Sequence, residues 1–334
     1  MAYGTRAEMQ EEIRKRKQAV REKSERIRLA NKQLVVAPKK TQQSLGVIQI
    51  DPAGVLHFRD GRWMKTYLVT GGIEHLPTLM ERIDGRVTFT HRIGKEADIY
   101  YLSLFHKGDV YEMVREAFAK DEAVLEEKIR LQPLSLEEMV NDIRQMTGVF
   151  NEPFDYQEFM KKRKDLLMEL MPPMKEYFGS VIMRDMIGIS YRIMLFPGCP
   201  FERLADCLRE NMESAVVSIS LFRISDEEIK AFKDYMSSRY KNVTENEKRM
   251  PYMLGHIRIL TLCRREDFQK QIDANEEAFK RTGYTVSPCY GEEEKSIRSI
   301  LTLGMKKQGR YGNLLTVMME NIFRKEYGHD TDKV

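Results

Sequence analysis

Three consecutive pieces of sequence decide the fold: GISYRIMLF (Gly188–Phe196), FERLADCLREN (Phe201–Asn211) and AVVSISLF (Ala215–Phe222). The outer two are short runs rich in Ile, Val and aromatic residues, the composition of strands. The middle one places Phe201, Leu204, Ala205 and Leu208 three and four apart, the spacing of one helix face. Pro197 and Gly198 close the first strand before the helix opens. The alternation continues downstream. Ser225-Asp226-Glu227-Glu228 is a capping box that predicts a helix to about Tyr240. His256–Cys263 predicts a strand, Arg265–Thr282 a helix, Tyr284–Cys289 a short strand and Glu293–Leu303 a helix. About four strands interleaved with helices predict a ferredoxin-like module.

Upstream the period changes. Val47–Ile50, Val55–Arg59 and Trp63–Thr70 read as strands joined by an Asp51-Pro52-Ala53-Gly54 turn and an Asp60-Gly61 hairpin turn. Trp63–Thr70 puts Lys65, Tyr67 and Val69 on one face. A helix over Glu74–Ile83 and strands over Arg86–Ile93 and Ile99–Phe105 complete a small antiparallel sheet. Gly108–Arg130 predicts a long charged helix. Ser135-x-x-Glu138 caps another to about Met146, and Tyr156–Met171 predicts a third, stopped by Pro172-Pro173.

The chain has 334 residues, 42% hydrophobic and 32% charged, with a net charge of +4. Such a chain builds cores and is not disordered. The charge is uneven: residues 1–40 carry twelve Lys/Arg and five Asp/Glu, so +7, and the rest carries −3. Residues 6–30 read as an exposed helix with a narrow seam of Ile13, Val20 and Ile27. It lacks the wide aromatic-bearing face of a membrane-surface helix. These readings give an α+β protein in five parts. They are a basic helical tail and linker (1–40), an antiparallel β-rich module (41–107) and a helical connection (108–175). The βα-alternating ferredoxin-like module (176–305) and a C-terminal helix and tail (306–334) follow.

The four cysteines (Cys199, Cys207, Cys263 and Cys289) form no C-x-x-C pair and read as reduced, buried thiols. No apolar leader and no uncharged run near the ~18 residues of a membrane span is found. The six histidines are scattered without a metal-ligand spacing. Gly304–Tyr311 has the G-x-x-x-x-G spacing of a phosphate loop, but Arg310 and Tyr311 stand where Lys and Ser/Thr are needed. Gly188-Ile189-Ser190-Tyr191 starts like a nucleophile elbow and then departs from it. The carboxylates at Glu227/Glu228 and Glu292–Glu294 sit at expected helix starts, where acids favour the helix dipole. The twenty-one methionines fill irregular cores. No catalytic, cofactor or metal set emerges, and the expectation is a protein that is not an enzyme and needs no cofactor.

The run from Ser44 to Thr70 has the order strand, Asp-x-x-Gly turn, strand, then Trp63-Met64-Lys65-Thr66-Tyr67-Leu68. It resembles the start of conjugation ATPases of type IV secretion, the CagE/TrbE/VirB class of Gram-positive mobile elements. Tyr191–Phe196 with Phe201–Leu208, Ala215–Ile224 with Ser225–Phe232, and Arg265–Gly304 resemble later strands and helices of that family in the same order. Leu314–Phe323 resembles the lead-in to the motor. Gly71-Gly72-Ile73 departs from the family pattern, and Val334 falls before the Walker A motif would begin. The resemblance therefore implies a fold and a setting without ATP hydrolysis. It implies a component of a DNA-transfer apparatus at the cytoplasmic face of the cell membrane, with inner-membrane partners, a separate motor ATPase and possible self-association. The residues expected to dock on a partner or membrane are Arg14, Lys15, Arg16, Lys17, Trp63, Lys65 and Tyr67. The competing expectation is a nucleic-acid-binding accessory protein of a mobile element that uses the basic tail.

Overall fold

In the computed structural model, the described residues are 45–51, 53–95, 97–162, 166–177, 179–195, 201–211, 214–223 and 252–305. Positions 227, 230, 231, 234, 312–315 and 322–323 are also described. The basic tail with Arg14 to Lys17, nearly all of the helix expected from Ser225, and the Lys306–Tyr311 loop lie outside them.

Strand β4 (Arg86–Ile93) and strand β10 (Ser214–Arg223) meet antiparallel, from Val87 opposite Leu221 to Ile93 opposite Ala215. Each alternates side chains between two faces. Val87, Phe89, Val217 and Ile219 enter one core, while Thr88, Thr90, Ser218 and Ser220 point the other way and are also buried. That one ladder joins the two β-rich stretches into a single sheet.

On the β4 side lie β5 (Ile99–Lys107), β3 (Arg62–Gly71), β2 (Leu56–Phe58) and β1 (Val47–Ile50), in that order. On the β10 side lie β11 (Tyr252–Arg264), β9 (Met186–Leu195), β8 (Ser180–Met183) and β7 (Met174–Tyr177). Strand β6 (Arg130–Pro133) adds to β3, β12 (Thr285–Pro288) to β9 and β13 (Gly312–Leu315) to β11. All pairings are antiparallel.

The expected ferredoxin-like order is present. Strands β9, β10, β11 and β12 lie in the sheet as β12-β9-β11-β10, with helices α6 (Phe201–Asn211) and α7 (Phe268–Thr282) as crossovers. The first stretch has the same order, β6-β3-β5-β4. Its crossovers are short turns around α1 (Leu76–Leu79) and the helix α2 (Tyr111–Glu126).

Both faces are covered. Tyr67, Phe118, Leu204 and Phe279 belong to a core that brings together β3, α2, α6 and α7. On the other face α3 (Leu136–Thr147), α4 (Tyr156–Lys162), α5 (Leu166–Leu170) and α8 (Glu293–Leu301) contribute Met139, Phe159, Leu167 and Ile297 to a second core. Helix α3 opens with the expected capping box: Ser135 accepts from the Glu138 amide, and Glu138 accepts from the Ser135 amide at 2.8 Å.

Several expectations need correction. The helix expected over Glu74–Ile83 is a set of short 3-10 and α turns, with Pro77 inside it. Residues 163–165 of the helix expected over Tyr156–Met171 lie outside the described residues; α4 and α5 are helical on either side of them. Strand β6 lies inside the stretch expected to be a helical connection, and the β7–β8 hairpin lies between the expected third helix and the next strand. Leu314 and Leu315, in the stretch expected as a C-terminal helix and tail, are in strand β13.

Candidate functional site

Trp63, Lys65 and Tyr67 do share one face of β3, but that face is packed under α2. Trp63 is buried, donates from Nε1 to the Gly108 carbonyl at 2.9 Å and stacks on His57 with ring centres 3.9 Å apart. Tyr67 is buried and donates its hydroxyl proton to Glu122, which also pairs with Lys65. Burial first, then the Glu122 carboxylate, push the Tyr67 hydroxyl far above its usual range. The Lys65 ammonium lies 5.7 Å from the centre of the Phe118 ring. The three side chains expected to dock on a partner are thus engaged inside the chain. The apolar content of Trp63 and Tyr67 is what buries them.

The opposite face of the sheet carries a row of polar groups across five strands. Register places Thr66 beside Ser103, Ser103 beside Thr88, Thr88 beside Ser220 and Ser220 beside His256. The Thr66 and Ser103 hydroxyls are 3.1 Å apart, and those of Thr88 and Ser220 are 3.0 Å apart. All five residues are buried. In the next row Thr90 lies opposite Ser218, and Ser218 opposite Arg258. The Arg258 guanidinium, 2% exposed, donates to the Cys289 sulfur at 2.9 Å, and the Ser296 hydroxyl donates to that sulfur at 3.5 Å.

Cations gather on this face. Arg86 stacks 3.9 Å from the Phe105 ring centre and donates to the Gly304 carbonyl at 2.8 Å. Arg62 is paired with Asp60 and donates to the Met305 carbonyl at 3.0 Å. Two arginines therefore pin the turn Thr302–Met305 across the sheet, where Gly304 lies against Thr88. Burial, followed by the positive charges of Arg258 and Arg86, pushes the His256 imidazole down to about 3. Neutral imidazole, guanidinium and hydroxyl groups in this arrangement can donate hydrogen bonds to an anionic oxygen or a thiolate. The sequence held a signal for the site: on a strand with Ile257 and Ile259 on one face, His256 and Arg258 fall on the other. No spacing motif marks that face.

A third cluster bridges β4 and α6. His91 on β4 lies 3.1 Å from Asp98, and Arg209 on α6 pairs with the same carboxylate at 2.7 Å. Burial works to raise the Asp98 pKa, but the hydrogen bonds and charges of His91 and Arg209 outweigh it and hold the carboxyl at about 2. Further along β5, His106 sits 2.9 Å from Asp121, whose other bonds come from the Asp84 and Gly85 amides. Among the described residues no group of three or more His, Cys, Asp or Glu converges as a metal site. No helix among them is long and apolar enough to cross a membrane.

Strand order and helix placement define an α+β protein with the ferredoxin-like order present twice. No family model matches the chain, and none of the curated proteins matches it. Among solved structures, two variants of berberine bridge enzyme give TM-scores of 0.28 and 0.30 at 10% and 11% identity. The enzyme from Eschscholzia californica gives 0.27 at 9% identity. Each covers 66% of this chain, which spans about two fifths of their length (40–41%). Likeness at that level does not define a shared fold.

Proposed function

We propose that this chain is a non-enzymatic component of a conjugative, type IV secretion-like DNA-transfer apparatus. It docks peripherally at the cytoplasmic face of the membrane and on partner subunits, and the motor ATPase is a separate chain. The observation that carries the reading is the ordered resemblance over residues 44–323 to the non-motor region of conjugation ATPases. The ferredoxin-like strand order over Met186–Pro288 is compatible with it. The docking element is then the +7 tail rather than Trp63 or Tyr67. Each Lys or Arg near an anionic surface contributes about 1 kcal/mol, so a +7 segment suffices for reversible attachment.

Flotation with vesicles of mixed neutral and anionic phospholipid tests the reading on the full chain and on a chain lacking residues 1–40. Attachment that is lost on deletion and at high salt supports it. ATP hydrolysis, or ATP binding at micromolar affinity, would overturn the non-enzymatic assignment. The tail charge also favours a second reading, a nucleic-acid-binding accessory protein. That reading requires DNA binding that weakens steeply with salt and disappears on the same deletion.

A further inference from the structure

Read from either end, the sheet order is the same. The run β1-β2-β3-β5-β4 is followed by β10-β11-β9-β8-β7, which is the same series reversed once each strand is matched by its place in the chain. Three of the matched pairs also agree closely in length. Strands β3 and β9 have 10 residues each, β6 and β12 have 4 each, and helices α2 and α7 have 16 and 15.

The agreement extends to single residues. In the first half Tyr67 lies opposite Pro133, Leu68 opposite Gln132 and Val69 opposite Leu131, after which the register slips to Gly71 opposite Arg130. In the second half Tyr191 lies opposite Pro288, Arg192 opposite Ser287 and Ile193 opposite Val286, after which it slips to Leu195 opposite Thr285. The tyrosine, the proline and the irregularity recur in the same places. The next residue repeats a backbone bond: Leu134 donates to the Thr66 carbonyl at 3.0 Å, and Cys289 to the Ser190 carbonyl at 2.9 Å. Helix α3 buries Met139, Val140 and Ile143, and α8 buries Ser296, Ile297 and Ile300 at the same spacing.

Register then locates an axis. Ser103 and Leu260 are matched through their partners Thr66 and Ser190, and they lie opposite Thr88 and Val216. Two residues on, Thr90 is matched with Ser218, and these two residues are directly paired across β4 and β10. A two-fold relation between the halves requires one such self-matched pair at the junction.

We infer that the chain is two copies of one unit joined end to end, and that the facing edges of β4 and β10 are a self-complementary surface through which one copy binds the other. Each unit is a hairpin, a four-stranded ferredoxin-like sheet and a closing helix. Isologous contact between like surfaces is the usual way that two identical units close on each other, and edge pairing satisfies two rows of backbone groups at once. Bridges cross the junction at matched sites. Arg209 on α6 reaches Asp98 and the Gly94 carbonyl at the β4–β5 turn, and Arg223 at the end of β10 donates to the Glu81 carbonyl.

The test uses the whole chain. A protease site is inserted between the exposed Asn151 and Glu152, and the protein is cut there. A second protein carries residues 152–334 ahead of 1–151. Thr90→Cys with Ser218→Cys is introduced into both. The pieces of the cut protein are expected to elute together at the mass of the uncut chain, and the 90–218 disulfide to form in both proteins. Pieces that separate after cutting, or a soluble order-swapped chain that does not cross-link, would overturn the inference. Should the order-swapped chain fail to fold, the cut protein alone decides.

Discussion

The Arg258 guanidinium donates to the Cys289 sulfur across 2.9 Å in a setting where neither residue is more than 2% exposed. In the other half, the residues at the matched places are Tyr101 and Leu134, ordinary members of an apolar core. The fold is thus built once with a polar pair and once without it. Cys289→Ala takes one hydrogen bond from a buried cation and leaves the Ser296 hydroxyl without its sulfur partner. The expected cost is roughly 1–3 kcal/mol, read from urea midpoints, with Cys289→Ser losing less.

His256 supplies a pH dependence at mild acidity. Its folded pKa, about 3, lies below the unfolded value of about 6.5, so the unfolded chain takes up the proton first. Stability is therefore full above pH ~6.5 and falls as pH drops toward the folded value. By pH 4 the loss comes to roughly 3 kcal/mol. His256→Gln should flatten the plot of unfolding free energy between pH 6.5 and 4. An unchanged slope would refute this assignment.

Asp98 acts at stronger acidity. Its carboxyl is held at about 2 in the folded chain, below the usual value. The stability it contributes is present above pH ~4 and is lost as pH falls through its folded pKa. Asp98→Asn should cost roughly 2 kcal/mol at pH 7 and much less at pH 2 to 3. Arg209→Gln should remove part of the same increment.

Gly304 has φ +83°, and a Cβ there would stand 2.8 Å from the Cβ of Thr88 and closer still to its hydroxyl. Gly304→Ala combines a left-handed backbone with a clash and should cost roughly 2–3 kcal/mol. Thr88→Ala in the same chain should return part of that loss. Two independent, additive losses would show that the contact is not the cause.

Local signals in the sequence set many element boundaries. Phe201–Asn211 is a helix over the expected residues, Ser135 caps α3, and Arg86–Ile93 is a strand. These signals need only periodicity and a cap. Strand β6 was missed because its four residues carry a single partly buried apolar side chain, Leu131, between exposed Arg130 and Gln132, too short a piece to establish a period. It is a strand because β3 offers it a free edge. The polar face of the sheet was missed for a related reason. Thr66, Ser103, Thr88, Ser220 and His256 come from five separate strands, and only long-range register sets them side by side. Trp63 and Tyr67, expected to dock, are buried under α2, because exposure of an aromatic residue depends on which helix returns to cover it.

The single sheet sets a length inside the molecule. From β1 to β7 the path crosses ten strands, and nine steps of ~4.8 Å place the two terminal hairpins roughly 40 Å apart. Helices occupy both faces between them. Two bodies held one at each hairpin would be kept out of mutual contact, at a separation fixed by backbone hydrogen bonds rather than by a flexible tether.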